Sequence, residues 1–216
     1  MSNTAKRIFA SIGLFAILCL IIYLESHGWH ATRWAAVIVA LGMIVEMILA
    51  IKRAPSGLVK QGNNSLVFFG FLAWLFVVLV AAYFVGVRQW IMLLLLMIIC
   101  AADIGAWFFG NLFGGDKMWE RMSPHKTWAG QIAGVLCGTF AAVLYGLLGT
   151  DTFLPQLLWI GISVSLLSQY GDLTSSWIKR RFKLKDFGSI IPGHGGFIDR
   201  FDGWIYALPL IWFIMM

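Results

Sequence analysis

The feature that most limits what this chain can fold into is a succession of long runs almost free of charge. They are Ile8 to Leu24, Trp34 to Ile51, Leu66 to Val87, Trp90 to Phe109, Trp128 to Leu148, Phe153 to Tyr170 and Gly203 to Met216. A bilayer core about 30 Å thick takes roughly 17 to 25 helical residues to cross, so six of these runs have the length of a span. The seventh has 14 residues, and is either a partial span or one that begins within the preceding loop. The runs are continuously apolar and lack the alternation of barrel strands, which favours helices. The expected fold is all-α, a polytopic transmembrane helical bundle forming one integral membrane domain over residues 1–216. Within it, residues 1–100 supply N-terminal spans and residues 101–216 carry the chemistry.

With 60% hydrophobic and 12% charged residues, the chain is too apolar for an ordinary soluble domain, in which about a quarter of residues are charged. The net charge of +6 does not point to nucleic acid: the basic residues sit between apolar runs, and no RNA- or DNA-binding module is present. There they set topology and meet anionic lipid headgroups. Alternate loops divide the sixteen Lys and Arg unequally. Fourteen fall on the side of the N-terminus and the loops after spans two, four and six, and only Arg33 and Arg88 fall on the other. Positively charged segments resist translocation, so the N-terminus and the three basic loops are expected in the cytoplasm, at the inner membrane of the cell.

Lys6 and Arg7 before the first apolar run imitate a signal peptide. The run is long, lacks a small-residue cleavage site and precedes further spans, so it reads as a retained helix. Cys19, Cys100 and Cys137 lie within apolar stretches without zinc-site spacing, and read as small buried hydrophobes. In span five, Gly130, Gly134, Gly138, Ala142 and Gly146 repeat every fourth position and form one smooth helix face. Such a face serves close helix packing, either within the protomer or across a homodimer.

Seven of the ten acidic residues belong to the cytoplasmic side: Asp103, Asp116, Glu120, Asp172, Asp186, Asp199 and Asp202. Glu25 and Asp151 lie in or beside the opposite loops, and Glu46 falls mid-span. Asp103 is placed roughly 20 Å along span four, in its cytoplasmic third. An ionisable residue there is costly and is a functional candidate, against the alternative of a carboxylate buried beside a Lys or Arg. Asp172 ends span six, and Asp199 and Asp202 precede span seven. Three carboxylates at one depth suit a hard divalent cation such as Mg2+, whereas the local alternative is capping, with Asp199 as N-cap and Asp202 at the third helical position.

Residues Ser176 to Asp202 mix cations, glycines and carboxylates within 27 positions. Lys179, Arg180, Arg181, Lys183, Lys185 and Arg200 can neutralise phosphate oxygens, and Gly193, Gly195 and Gly196 leave backbone N–H groups open to an anion. A second stretch, Ser123-Pro124-His125-Lys126-Thr127-Trp128, offers hydroxyls, a cation and a ring for a ribose, base or phosphate. Its alternative is a Pro-led helix start with an interfacial Trp. His125 and His194 are proton shuttles or hydrogen-bond donors, without zinc-site spacing. There is no Walker A motif and no nucleophile elbow.

The run from Ser176 to Asp202 resembles the signature of phosphatidate cytidylyltransferases, in which Ser, Lys-Arg, Lys-Asp, Pro-x-His-Gly-Gly and Asp-Arg-x-Asp recur at these intervals. Ala102-Asp103-Ile-Gly105-Ala106-Trp-Phe108-Phe109-Gly110 and Ser123-Pro124-His-Lys126-Thr127-Trp128 resemble the same family, so the likeness covers the C-terminal half. The N-terminal half matches only in being apolar. Ala129 departs from the Glu or Gln common at that place, and the chain is shorter than many members, which suggests fewer N-terminal spans. The resemblance implies transfer of CMP from CTP to phosphatidic acid or a related lipid phosphate. It implies that Asp172 and Asp199 bind Mg2+, with a second metal ion in some readings, and that Asp202 supports them. Lys179, Arg180, Lys185 and Arg200 would stand near phosphate, and Asp103, Ser123, Lys126, Thr127, Ser176, His194, Gly195 and Gly196 would contact substrate.

Two rivals share the membrane setting. A CTP-dependent lipid kinase of the dolichol-kinase type would move the γ-phosphoryl group to an alcohol, and a non-enzymatic protein would use the basic face for anionic lipid. The Asp-Arg-x-Asp ending favours the transferase. Because acyl chains stay in the bilayer while CTP arrives from water, a lateral opening between helices is expected.

Overall fold

The computed structural model describes residues 13, 16–17, 19–55, 58, 62–120, 123–148, 154–188, 190 and 195–216. Residues 19–26 are helical. The remaining helices are α1 (Ala31–Arg53), α2 (Asn64–Val85), α3 (Gln89–Phe113), α4 (Trp128–Leu147), α5 (Leu154–Arg181), α6 (Ile198–Phe201) and α7 (Trp204–Met215). The all-helical expectation therefore holds, with one small addition. Between α3 and α4 the chain forms an antiparallel hairpin, β1 (Lys117–Trp119) with β2 (Ser123–Thr127), in register Lys117 to Thr127 and Trp119 to Ser123. The Pro-led helix start considered for Ser123 is thus corrected to a strand, and helix begins only at Trp128.

Among the described residues four helices are long and apolar enough to cross a membrane: α1, α2, α3 and α4. They match the second to fifth runs of the sequence. The first run falls partly outside the described residues. From Leu154 onward the sixth lies within α5, whose 28 residues continue past Tyr170 into the polar turn Gly171 to Ser176 and the basic turn Lys179 to Arg181. The last run is the short apolar helix α7. Asp202 and Gly203 both keep right-handed helical backbone between α6 and α7. Helical backbone therefore runs from Ile198 to Met215, about 27 Å at 1.5 Å per residue. Helical dihedrals thus begin inside the preceding loop, ahead of the apolar run.

The helices neighbour one another in a chain of contacts: α1 with α2, α2 with α7, α7 with α5, α5 with α4, and α4 with α3. Van der Waals packing, rather than expulsion of water, holds such helices together in lipid. The small-residue face of α4 is used within this chain. A Cβ at Gly130 would lie 2.6 Å from the Ala106 carbonyl oxygen, one at Gly134 2.8 Å from that of Ala102, and one at Gly138 3.0 Å from that of Ile98. All three carbonyls belong to α3. From the other side, a Cβ at Gly161 of α5 would meet the Thr139 backbone of α4 at 2.8 Å. Glycine at these positions is what lets three backbones approach.

Polar ties connect the two halves of the chain. Asn64 opens α2, donates from Nδ2 to the Leu58 carbonyl at 2.8 Å, and accepts from Arg181 Nε at 2.7 Å. The Trp74 indole of α2 donates to the Ile205 carbonyl of α7 at 3.1 Å. Around these ties Leu75, Val78, Ile98, Ile178, Phe182, Phe187, Ile198 and Ile205 are buried.

Gly134→Ala should lower the thermal midpoint of the detergent-purified chain, because overpacking of this kind costs about 1–3 kcal/mol. Gly70→Ala, where a Cβ meets nothing within 4 Å, should leave the midpoint unchanged or raise it. Equal behaviour of the two variants in a thermal unfolding assay would contradict the packing role of the α4 face.

Candidate functional site

One face of α5 organises the polar residues. Asp172, Ser175, Ser176 and Lys179 lie three, four and seven positions apart, a spacing that stacks side chains on the same side of a helix. The helix can approach the residues before α7 because position 171 is glycine: a Cβ there would collide with the Asp202 carbonyl. Ser175 then uses its hydroxyl to bridge, at 3.1 Å from Asp202 Oδ2 and 2.9 Å from the Asp172 carbonyl oxygen. Ser176 Oγ lies 3.5 Å from Asp172 Oδ1.

Asp172 is held from the other side by the hairpin. Lys126 of β2 pairs with Asp172 Oδ2 at 2.5 Å, with side chains 25% and 40% exposed respectively. Thr127 ends the same strand and is committed to structure, since its Oγ1 accepts from the Gly130 amide at 3.1 Å and caps α4. Asp103 on α3 is exposed on the surface of the helix and lies within electrostatic range of both Asp172 and Lys126. Asp202 feels the charges of Asp172, Asp103 and Lys179. Three carboxylates from three segments, Asp103, Asp172 and Asp202, thus share one neighbourhood.

Asp199 has different partners. Its Oδ1 accepts from Lys179 Nζ at 2.9 Å, and both side chains are largely buried, at 14% and 7% exposure. Its Oδ2 accepts from the Phe187 amide at 2.9 Å and the Gly196 amide at 3.1 Å. Gly195 supplies a left-handed backbone, φ +84°, beside the same carboxylate. The capping alternative is corrected here: α6 begins at Ile198 with Phe197 as N-cap, so Asp199 sits inside the first turn. Asp202 is the residue that ends it.

Lys179 connects the two groups, bonded to Asp199 and in range of Asp202, with its ammonium also 5.7 Å from the Phe187 ring centroid. Arg180, Lys185 and Arg200 are exposed and near these residues in sequence, and Ser123 is half-buried at the start of β2. His194 lies outside the described residues.

The donor set consists of hard carboxylate oxygens from Asp103, Asp172, Asp199 and Asp202, with Lys126 and Lys179 beside them. That chemistry fits a divalent cation such as Mg2+, whose remaining positions are commonly taken by water and substrate phosphate. Among the described residues no group of three or more His, Cys, Asp or Glu side chains is placed to hold a metal ion. Asp172 and Asp199 each hold a lysine instead.

Some polar residues of this region were not singled out from the sequence. Ser175 was hidden beside Ser176, although its i+3 spacing from Asp172 is the signal. Glu46 is fully buried, and its Oε2 accepts from the Ile198 amide at 2.8 Å across 152 positions of sequence. A carboxylate inside an apolar run was the available clue.

The sequence pattern of the Cytidylyltransferase family matches residues 1–216. The chain belongs to this family. It is 34% identical over 217 residues to the phosphatidate cytidylyltransferase of Staphylococcus epidermidis strain RP62A, an alignment covering 94% of this chain and 79% of that protein. It is 40% identical over 116 residues to the phosphatidate cytidylyltransferase of Staphylococcus saprophyticus, covering 53% of this chain and 45% of the relative. The corresponding protein of Brucella suis biovar 1 is 41% identical over 122 residues, covering 55% of this chain and 44% of its own length. The last two alignments therefore span less than half of those relatives.

The two lysine–carboxylate pairs should differ in weight. Lys179→Ala leaves the buried Asp199 without its cation and should cost about 1–3 kcal/mol. Lys126→Ala breaks a more exposed pair and should cost no more than about 1 kcal/mol. Thermal unfolding of the two purified variants checks this, and a larger loss for Lys126→Ala would contradict the order of burial.

Proposed function

We propose that this chain is a membrane-embedded phosphatidate cytidylyltransferase, transferring CMP from CTP to phosphatidic acid to form CDP-diacylglycerol and pyrophosphate. The observation that carries the reading is the assembly of Asp172, Ser175, Lys179, Asp199 and Asp202 around the end of α5, in a chain matched throughout by its family pattern. In the reaction a phosphate oxygen of the lipid attacks the α-phosphorus of CTP. A new P–O bond forms there, the bond to the β-phosphate oxygen breaks, and the electron pair leaves with pyrophosphate.

The attacking oxygen is already an anion, so it needs no general base. What remains is to bring two anions together in line and to offset the charge that gathers on the leaving group. Lys126, Lys179, Arg180, Lys185 and Arg200 are the cations available for phosphate oxygens. Ser123 and Ser176 offer hydroxyls, and His194 and Gly195 are the neighbouring residues assigned to a polyphosphate, the Gly196 amide being given to Asp199. Thr127 keeps β2 and α4 in register and so fixes where Lys126 stands. Asp172 and Asp199, with Asp202 beside them, are the residues that would hold Mg2+. When bound, that ion supplies charge neutralisation and alignment of phosphate.

Substrate access follows from the same placement. The exposed Asp103 and the 40% exposed Asp172 side chain leave the carboxylate neighbourhood open at the flank of α3, which supports lateral arrival of a lipid headgroup. The uneven distribution of Lys and Arg supports a cytoplasmic position for the site, on the side where CTP is found. The basic turn Lys179 to Arg181 ends α5 next to the site, which supports a reading in which charge and chemistry share one membrane face.

CTP labelled in turn at the α- and γ-phosphates, incubated with phosphatidic acid, Mg2+ and the purified chain, tests the reaction. The α-label should enter lipid and the γ-label should leave as pyrophosphate. The opposite pattern with an alcohol acceptor would establish a lipid kinase. Asp172→Asn and Asp199→Asn should each lower CDP-lipid formation by at least about 100-fold while membrane insertion persists. Full activity in either variant would remove that residue as a metal ligand.

A further inference from the structure

Glu46 lies on α1, in the half of the chain that shows no motif, and yet it meets the loop that carries Asp199. The side chain is fully buried. Its Oε2 accepts from the Ile198 amide at 2.8 Å, while Oε1 has no hydrogen-bond partner among the described residues. Ile198 is the first residue of α6, where N–H groups are left free by the helix itself, so a carboxylate from another helix serves as its cap.

The fit around this carboxylate is specific. A Cβ added at Gly188 or at Gly196 would collide with the Glu46 carboxylate in either case. One turn earlier on α1, a Cβ at Gly42 would lie 2.8 Å from the Phe197 ring. Gly42 and Glu46 therefore form a seat, four residues apart on one helix face, for residues 196–198. Gly188 and Gly196 stand on opposite limbs of the loop between α5 and α6, and the Asp199 carboxylate joins the same limbs through the Phe187 and Gly196 amides. Two carboxylates thus close one loop, Asp199 from within it and Glu46 from a distant helix.

We infer that Glu46 is a positioning residue: by capping Ile198 and seating Gly188 and Gly196, it fixes the Asp199 turn against α5 for nucleotidyl transfer. The assignment rests on the reaction proposed above. It makes an N-terminal span part of the machinery without contact to substrate. A short displacement of the turn would move Asp199 away from Lys179 and misalign the phosphate-binding segment.

Amide hydrogen exchange and steady-state kinetics on the purified full chain in lipid nanodiscs test the inference together. In Glu46→Ala, exchange at the Phe187, Gly196 and Ile198 amides should quicken while that of α3 and α4 stays unchanged, and kcat should fall about 10- to 100-fold. Glu46→Gln keeps an acceptor oxygen for Ile198 and should stay within about threefold of the parent in kcat. Gly188→Ala, pressing on the carboxylate from the opposite limb, should reproduce the local exchange change with the carboxylate present. Unchanged exchange at the loop in Glu46→Ala overturns the inference, as does a rise spread equally over α1 to α4, or a Glu46→Gln variant as impaired as Glu46→Ala. If Glu46→Ala does not accumulate folded, parent-like exchange and kcat in Gly188→Ala overturn it. A parent chain that makes no labelled CDP-lipid would sink the reaction, whereas the exchange comparison would still decide whether Glu46 holds the loop.

Discussion

Backbone-to-backbone contact among α3, α4 and α5 is the constraint on which the site depends. Helices in lipid gain little from burying apolar surface against each other, so close approach through small residues does the work. Gly130, Gly134 and Gly138 admit the carbonyls of Ala106, Ala102 and Ile98, and Gly161 brings α5 against α4. With those distances set, Asp103 on α3, Lys126 ahead of α4 and Asp172 on α5 fall in one neighbourhood. Gly171 extends the same device to the segment before α7 and lets Ser175 reach Asp202. A chemical site has been built by removing side chains from where helices touch.

The polar assembly then divides in two. The pair of Lys126 with Asp172 is open to the surroundings, while that of Lys179 with Asp199 is largely enclosed. Burial explains the difference in their surroundings: Asp199 also takes two backbone amides, as an enclosed carboxylate requires, whereas Asp172 is left with an exposed edge. The open carboxylate keeps an edge open to the surroundings, and the enclosed one shapes its loop. Lys179 stands between them and links the helix to the turn.

The apolar runs were legible because crossing a bilayer demands length and continuity, and the structure returns four of them as helices of spanning length. The polar end of α5 was not: the sixth apolar run stops at Tyr170 and the basic residues after it read as loop, whereas the helix continues to Arg181. Nor was the β1–β2 hairpin. Its strands are short and polar, and Ser-Pro before an apolar run reads equally well as a helix start. The cap of α6 also escaped, because the local pattern offered Asp199 for a task that α1 performs from 152 residues away.

By itself the sequence determined the membrane setting, the helical class, the concentration of cations on one side and the family motifs in the C-terminal half. These are matters of composition and of spacing along one chain. Only the tertiary structure decided that the glycine face of α4 turns inward, that Asp199 pairs with Lys179 while Asp172 pairs with Lys126, and that Glu46 touches the C-terminal half. Such partnerships depend on which helix faces meet, and nothing local in a continuously apolar segment marks the face that will turn toward a neighbour rather than toward lipid.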